Sequence, residues 1–150
     1  MSQAAVLAAV YETLNPATTT GVVFKSAFGG TDSTRGRIYN EQAAMNVALP
    51  LAVFAITSES TQAYLGGSTS SVHTMVLELA MYFPVTSGIT AAMASESLAY
   101  TLLHMADLPT SDTSIAKIRT VCAARGTADI ADDALVIIAS YSVTVSRKAP

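Results

Sequence analysis

Charge is what this chain has least of. Charged residues fill 13% of its 150 positions, against roughly a quarter in an ordinary globular domain. Hydrophobic residues make up 51%, so few side chains are left to keep a surface wet. Such a chain either spans a membrane or buries much of its surface against other protein. No stretch reaches about 18 consecutive apolar residues, so a spanning helix is not expected, and neither is a membrane partner. A subunit with large protein interfaces remains.

Basic runs are missing too. The chain carries 8 basic and 11 acidic residues, a net charge of −3. Binding of nucleic acid through phosphate neutralisation is therefore not expected. The single cysteine, Cys122, cannot close an intramolecular disulfide, and a reducing compartment is the simple reading. Met1-Ser2-Gln3 lacks the basic region that opens a signal peptide. There is no internal repeat and no low-complexity tail. Residues 1–150 read as one domain, large enough for its own core.

Catalytic parts are equally scarce. Only His73 and His104 are of the residue type that could act as a near-neutral base. His73 falls on the apolar face of an alternating run and His104 lies late in a helical pattern, so each reads as a structural histidine. Cys122 has no histidine nearby and reads as a small buried hydrophobe. Two histidines and one cysteine without short spacing make no zinc pattern. Gly29-Gly30-Thr31-Asp32-Ser33 lacks the P-loop lysine and reads as a loop. Asp129, Asp132 and Asp133 share a turn whose spacing is not that of an EF-hand; it is a solvated turn or a negative surface facing a channel or a basic partner. Lys117 and Arg119 share a strand face, as a solvated edge or as salt bridges to a neighbouring subunit. No enzyme, cofactor or metal site is expected.

What is present is strand pattern. Leu51 to Ser58 is β-branched and aromatic without Gly or Pro, and Val72 to Phe83 alternates. His73, Met75, Leu77, Leu79, Met81 and Phe83 fall on one face; Val72, Thr74, Val76, Glu78, Ala80 and Tyr82 fall on the other. The turn Glu59 to Ser71 joins these runs into a long hairpin. A short helix is expected from Val6, Leu7, Val10, Tyr11 and Leu14, with Ser2 as N-cap and Asn15-Pro16 as its stop. Ala17 to Asn40 reads mostly as loop, with the patch Val22-Val23-Phe24, and Arg37-Ile38-Tyr39 as a brief edge strand. Glu41 to Leu49 reads as a connector. Ile89 to Asp107 carries a helical stripe. Ile115 to Ala124 alternates, with Ile115, Lys117, Arg119 and Val121 on one face. Arg125 to Asp133 reads as a turn, and Ala134 to Ser146 as a last alternating strand. The expected fold is α+β, with a mostly antiparallel sheet of four or more strands and two helices on one face. The opposite face is too apolar for free water and too polar for a core, which suits a partner subunit.

This order of elements resembles the tail terminator (tail completion) proteins of long-tailed bacteriophages. The likeness runs from Val6 to Val145. Its local markers are Arg37-Ile38-Tyr39 followed by Leu49-Pro50 and Leu51-Ala52-Val53-Phe54, the strand ending Tyr82-Phe83, the helix Ser97-Leu98-Ala99-Tyr100-Thr101-Leu102-Leu103 and the strand ending Tyr141-Ser142-Val143-Thr144-Val145. The resemblance implies a homohexameric ring in the virion, assembled in the host cytoplasm. That ring caps the tail tube, ends its growth and joins the tail to the neck, with tail tube protein on one side and a neck or head-completion protein on the other. DNA passes through its lumen without specific binding. Catalytic residues are not implied. The interface residues expected on this reading are Arg37, Tyr39, Gln62, Tyr64, Lys117, Arg119, Asp129, Asp132 and Asp133, with axial contacts from Glu59 to Ser71 and Gly29 to Arg37. A head–tail stopper or neck adaptor ring is the near alternative. A small enzyme or ligand-binding domain using His73 or His104 is the distant one.

Overall fold

The computed structural model describes residues 2–19, 24–41, 48–63 and 71–148. Among these the chain runs α1 (Ser2–Leu14), a 3-10 helix (Phe24–Phe28), β1 (Ile38–Asn40), β2 (Leu51–Ala63), β3 (Ser71–Pro84), a 3-10 turn (Val85–Ser87), α2 (Ile89–Leu103), β4 (Ala106–Leu108), β5 (Ile115–Ala124), β6 (Asp129–Ala131) and β7 (Ala134–Arg147). The strands form one sheet in the order β1-β2-β3-β7-β5-β4, with β6 also paired to β7. Every pair is antiparallel except β1 with β2. This is the α+β arrangement expected from the patterning.

The period of two decides which face is buried. Met75, Leu77, Leu79, Met81 and Phe83 of β3 are all buried, as are Leu135, Ile137, Ala139, Tyr141, Val143 and Val145 of β7. Burying one large apolar side chain contributes about 1.5–3 kcal/mol. A slip of one residue would turn either set out to water, so register is strongly specified. Both helices cover this face. Val6, Leu7, Val10 and Leu14 of α1 join the core, and so do Ala92, Ala99 and Leu103 of α2. The small residues of α2 let its backbone lie close to β7 and β5.

The sheet is curled. Helix α1 touches β1 and β2 at one edge and β4 at the other. In a flat sheet of this order those edges would lie about 24 Å apart, at roughly 4.8 Å per strand. That is over twice the ~10 Å width of a helix. The inner face therefore wraps around the helices, and the outer face turns its two halves toward different flanks. Register shifts at Ile56/Ser58, Ile115/Lys117 and Cys122/Ala124 add local twist.

Several boundaries differ from the sequence reading. Ser2 is the first residue of α1 rather than its cap. Helix α2 stops at Leu103, not Asp107; Met105 adopts φ 53° and sends the chain into β4. The turn expected from Glu59 is shorter, because β2 continues to Ala63. The stretch Arg125 to Asp133 contains β6, and its actual turn is Asp132-Asp133, both at positive φ (48° and 65°), between paired Ala131 and Ala134. The stretch 17–40 is not only loop: Phe24 and Phe28 are fully buried on a 3-10 helix, and Phe28 lies 5.4 Å from Phe83 between ring centroids. Ile115 leaves the face of Lys117 and joins Ile118 in the core, because the register shifts between Ile115 and Lys117. Val22, Val23 and most of the 41–49 connector lie outside the described residues.

Candidate functional site

Among the described residues, neither helix covers the outer face of the sheet. Its rows follow from strand register. Tyr39, Val53, Ala80 and Ile138 form one row across β1, β2, β3 and β7. Leu51, Tyr82, Val136 and Asp129 form the next. Then come Ala55, Glu78 and Ser140, and after them Ser58, Val76, Ser142 and Val121. The last charged row holds Thr144, Arg119 and Asp107. Ile138 is 50% exposed, Val121 37% and Val76 36%. Large aliphatic side chains exposed on one face of a sheet suit a contact surface.

A groove of about 500 Å³ lies over the β2–β3 half of this face. Its lining is Glu41, Leu49, Leu51, Val53, Ala55, Glu78, Ala80 and Tyr82, so both of its charged groups are carboxylates. The β5 half differs. There Asp107 meets Arg119 at 3.0 Å and Lys117 at 3.6 Å, all three side chains at least one-third exposed. Two cations share one carboxylate, and the flank keeps an excess positive charge. A second cleft runs between α1 and residues 109–112, lined by Ala4, Ala5, Ala8 and Glu12. Hydrogen bonds from the Ser114 hydroxyl and backbone N–H hold the Asp112 carboxyl there below its usual range.

The residues singled out from the sequence fall in different places. Tyr39, Lys117, Arg119 and Asp129 belong to the outer face by register. The charge that Lys117 and Arg119 meet is Asp107 of their own chain. Asp132 and Asp133 sit in the β6–β7 turn. Arg37 precedes β1 and donates from Nε to the Pro50 carbonyl at 2.9 Å, with its guanidinium packed on Gly29. Gln62 pairs with Val72 in the ladder, but its side chain lies outside the described residues, as does all of Tyr64. The sequence reading did not single out Glu78, Tyr82 or Ile138, although the alternation of β3 and β7 already placed them on this face.

The titratable groups behave as fold elements. His104 caps α2, stacks on Tyr100 at 4.5 Å and accepts the Cys122 N–H on Nδ1 at 3.1 Å. His73 Nδ1 lies 3.5 Å from Glu59, which also accepts a 2.8 Å hydrogen bond from Gln3 of α1. Burial pushes the half-buried Cys122 thiol up, away from the reactive thiolate. Glu96 is fully buried on α2 and is held by Arg125 Nε, whose guanidinium covers the Tyr100 ring at 4.0 Å. The burial of that carboxylate, and of Asn15 and Lys25, carried no pattern signal in the sequence. Among the described residues no cluster of His, Cys, Asp or Glu could hold a metal ion. No described helix is long and apolar enough to cross a membrane.

Comparison with solved structures places this architecture. The chain is similar to one in the structure "Virion of native gene transfer agent (GTA) particle", with a TM-score of 0.61 over 95% of this chain and 96% of the other. Sequence identity between the two is 18%, so the likeness is one of fold. No family model matches the sequence, and no curated protein matches it.

Proposed function

We propose that this protein is a structural component of a phage-like virion that forms a ring at the head-proximal end of the tail tube. There it ends tube polymerisation and joins tail to neck. The observation that carries this reading is the fold match over nearly the full length of both chains to a subunit of a phage-like particle. The exposed apolar rows of the sheet support it, because a ring subunit must bury such surface against its neighbours. So does the use of His73, His104 and Cys122 in packing and hydrogen bonding. Tail tube protein would meet one rim, and a neck or head-completion protein the other. A hexameric ring would pass DNA through its lumen, and a chain of net charge −3 is suited to a conduit that does not grip its cargo. The ring would act in the virion after assembly in the host cytoplasm.

The test is the mass of the purified protein, alone and with tail tubes, followed by images of the tubes. A ring of about six copies seated on tube ends is expected. Rings that bind only the head-side connector would move the protein to a stopper or adaptor collar. A chain that stays monomeric and ignores tubes overturns the reading.

A further inference from the structure

We propose that the ring contact is head-to-tail across the outer sheet face: the acidic groove of β2–β3 in one copy receives the basic β5 flank of the next. This rests on the ring reading above and names its interface. Three observations carry it. The groove floor is apolar (Leu51, Val53, Tyr82) and both charges in its lining are negative, Glu41 and Glu78. The β5 flank offers Lys117 and Arg119 beside an exposed Val121, with Asp107 balancing only one of the two cations. The curl of the sheet carries these two halves toward different flanks of one subunit, since α1 touches both sheet edges.

The physical consequence is directional. A surface that carried both patches together would pair with itself about a two-fold axis. Two unlike patches on different flanks cannot do that. They make a heterologous contact, which closes into a ring when the rotation between copies divides a full turn. Like charges brought together at a wrong pairing repel, so charge also selects against groove-to-groove contact.

The experiment reverses one charge on each side. Glu78→Lys cancels the net negative charge of the groove and sets a cation against the flank's Lys117. Lys117→Glu makes the flank acidic and keeps the Arg119–Asp107 bridge. Wild type, each variant and their equimolar mixture are compared by sedimentation and native mass measurement, with thermal melts to confirm folding. Each reversal alone is expected to weaken association at least about tenfold. The mixture is expected to restore rings, because in an alternating ring the cation at position 78 meets the anion at position 117 and each unchanged groove meets an unchanged flank. Where a reversed chain melts early, Glu78→Gln and Lys117→Gln replace it, each expected to weaken association. Wild-type rings indifferent to both reversals, or a mixture no better than its parts, overturn this contact alone. A wild-type chain that forms no ring, by itself or on tubes, overturns the ring reading and this contact with it.

Discussion

The side-chain amide of Asn15 holds both backbone groups of Gly36. Its Oδ1 accepts the Gly36 N–H at 2.6 Å and its Nδ2 donates to the Gly36 carbonyl at 3.1 Å. Asn15 ends α1 and is fully buried, while Gly36 leads into β1. The pair therefore fastens the loop carrying Phe24 and Phe28 to the helix. Gly36 has no room for a side chain, since a Cβ there would sit 2.7 Å from the Lys25 carbonyl oxygen. Asn15→Ala leaves a buried donor and acceptor unmet, at about 1–3 kcal/mol. Urea unfolding is expected to show a lower midpoint with an unchanged slope.

Glu96 and Arg125 make a second clamp, from α2 to the chain beyond β5. The carboxylate is fully buried and the guanidinium half-exposed. Removing the cation strands a buried charge, whereas removing both ends does not. Arg125→Ala is expected to lower the urea midpoint more than Lys117→Ala, whose partner Asp107 is exposed. Adding Glu96→Gln to Arg125→Ala is expected to recover part of the loss. A double substitution as unstable as the single one would assign the effect to the packing of Arg125 on Tyr100 instead.

The long elements were legible because their periods were long. Thirteen successive pairings join β3 to β7, and alternation over that length has one physical solution. The outer face was legible for the same reason, as the complement of the buried set. The short strands β4 and β6, each of 3 residues, span less than two periods of any pattern. Tertiary pairing with β5 and β7 makes them strands. Glu96 and Asn15 were hidden differently. A lone polar residue in a helical stripe or at a helix end looks solvent-facing until its partner, 29 or 21 positions away, is brought to it.

Tyr141 sets an alkaline limit. Its hydroxyl is buried and has no hydrogen-bond partner among the described residues. Burial first, then the charges of Cys122 and Glu96, push its pKa well above the usual phenol value. The folded chain thus keeps the phenol proton more tightly than the unfolded chain does. The stability this represents is complete below the unfolded pKa of about 10 and is lost as pH rises beyond it toward the folded value. Tyr141→Phe is expected to melt at or above the wild-type temperature near neutrality, because it removes a desolvated hydroxyl. It is also expected to flatten the loss of stability above about pH 10. Melts across that range, beside an ultraviolet titration of the tyrosines, check both.

Asp132 and Asp133 separate a role in folding from a role in docking. Both adopt positive φ in a two-residue hairpin turn, which favours Asn-Gly over Asp-Asp. Asp132→Asn with Asp133→Gly is expected to stabilise the fold by roughly 0.5–1 kcal/mol. The turn lies at the start of β7, and Lys117 pairs near its other end. Neither aspartate belongs to the groove lining, so ring mass is expected to stay unchanged while the melting temperature rises. Attachment to tube or neck is the separate readout. Rings that form normally and melt higher, yet fail to attach, would show that the two carboxylates face an axial partner. Rings that attach normally would leave these aspartates with the turn as their only role.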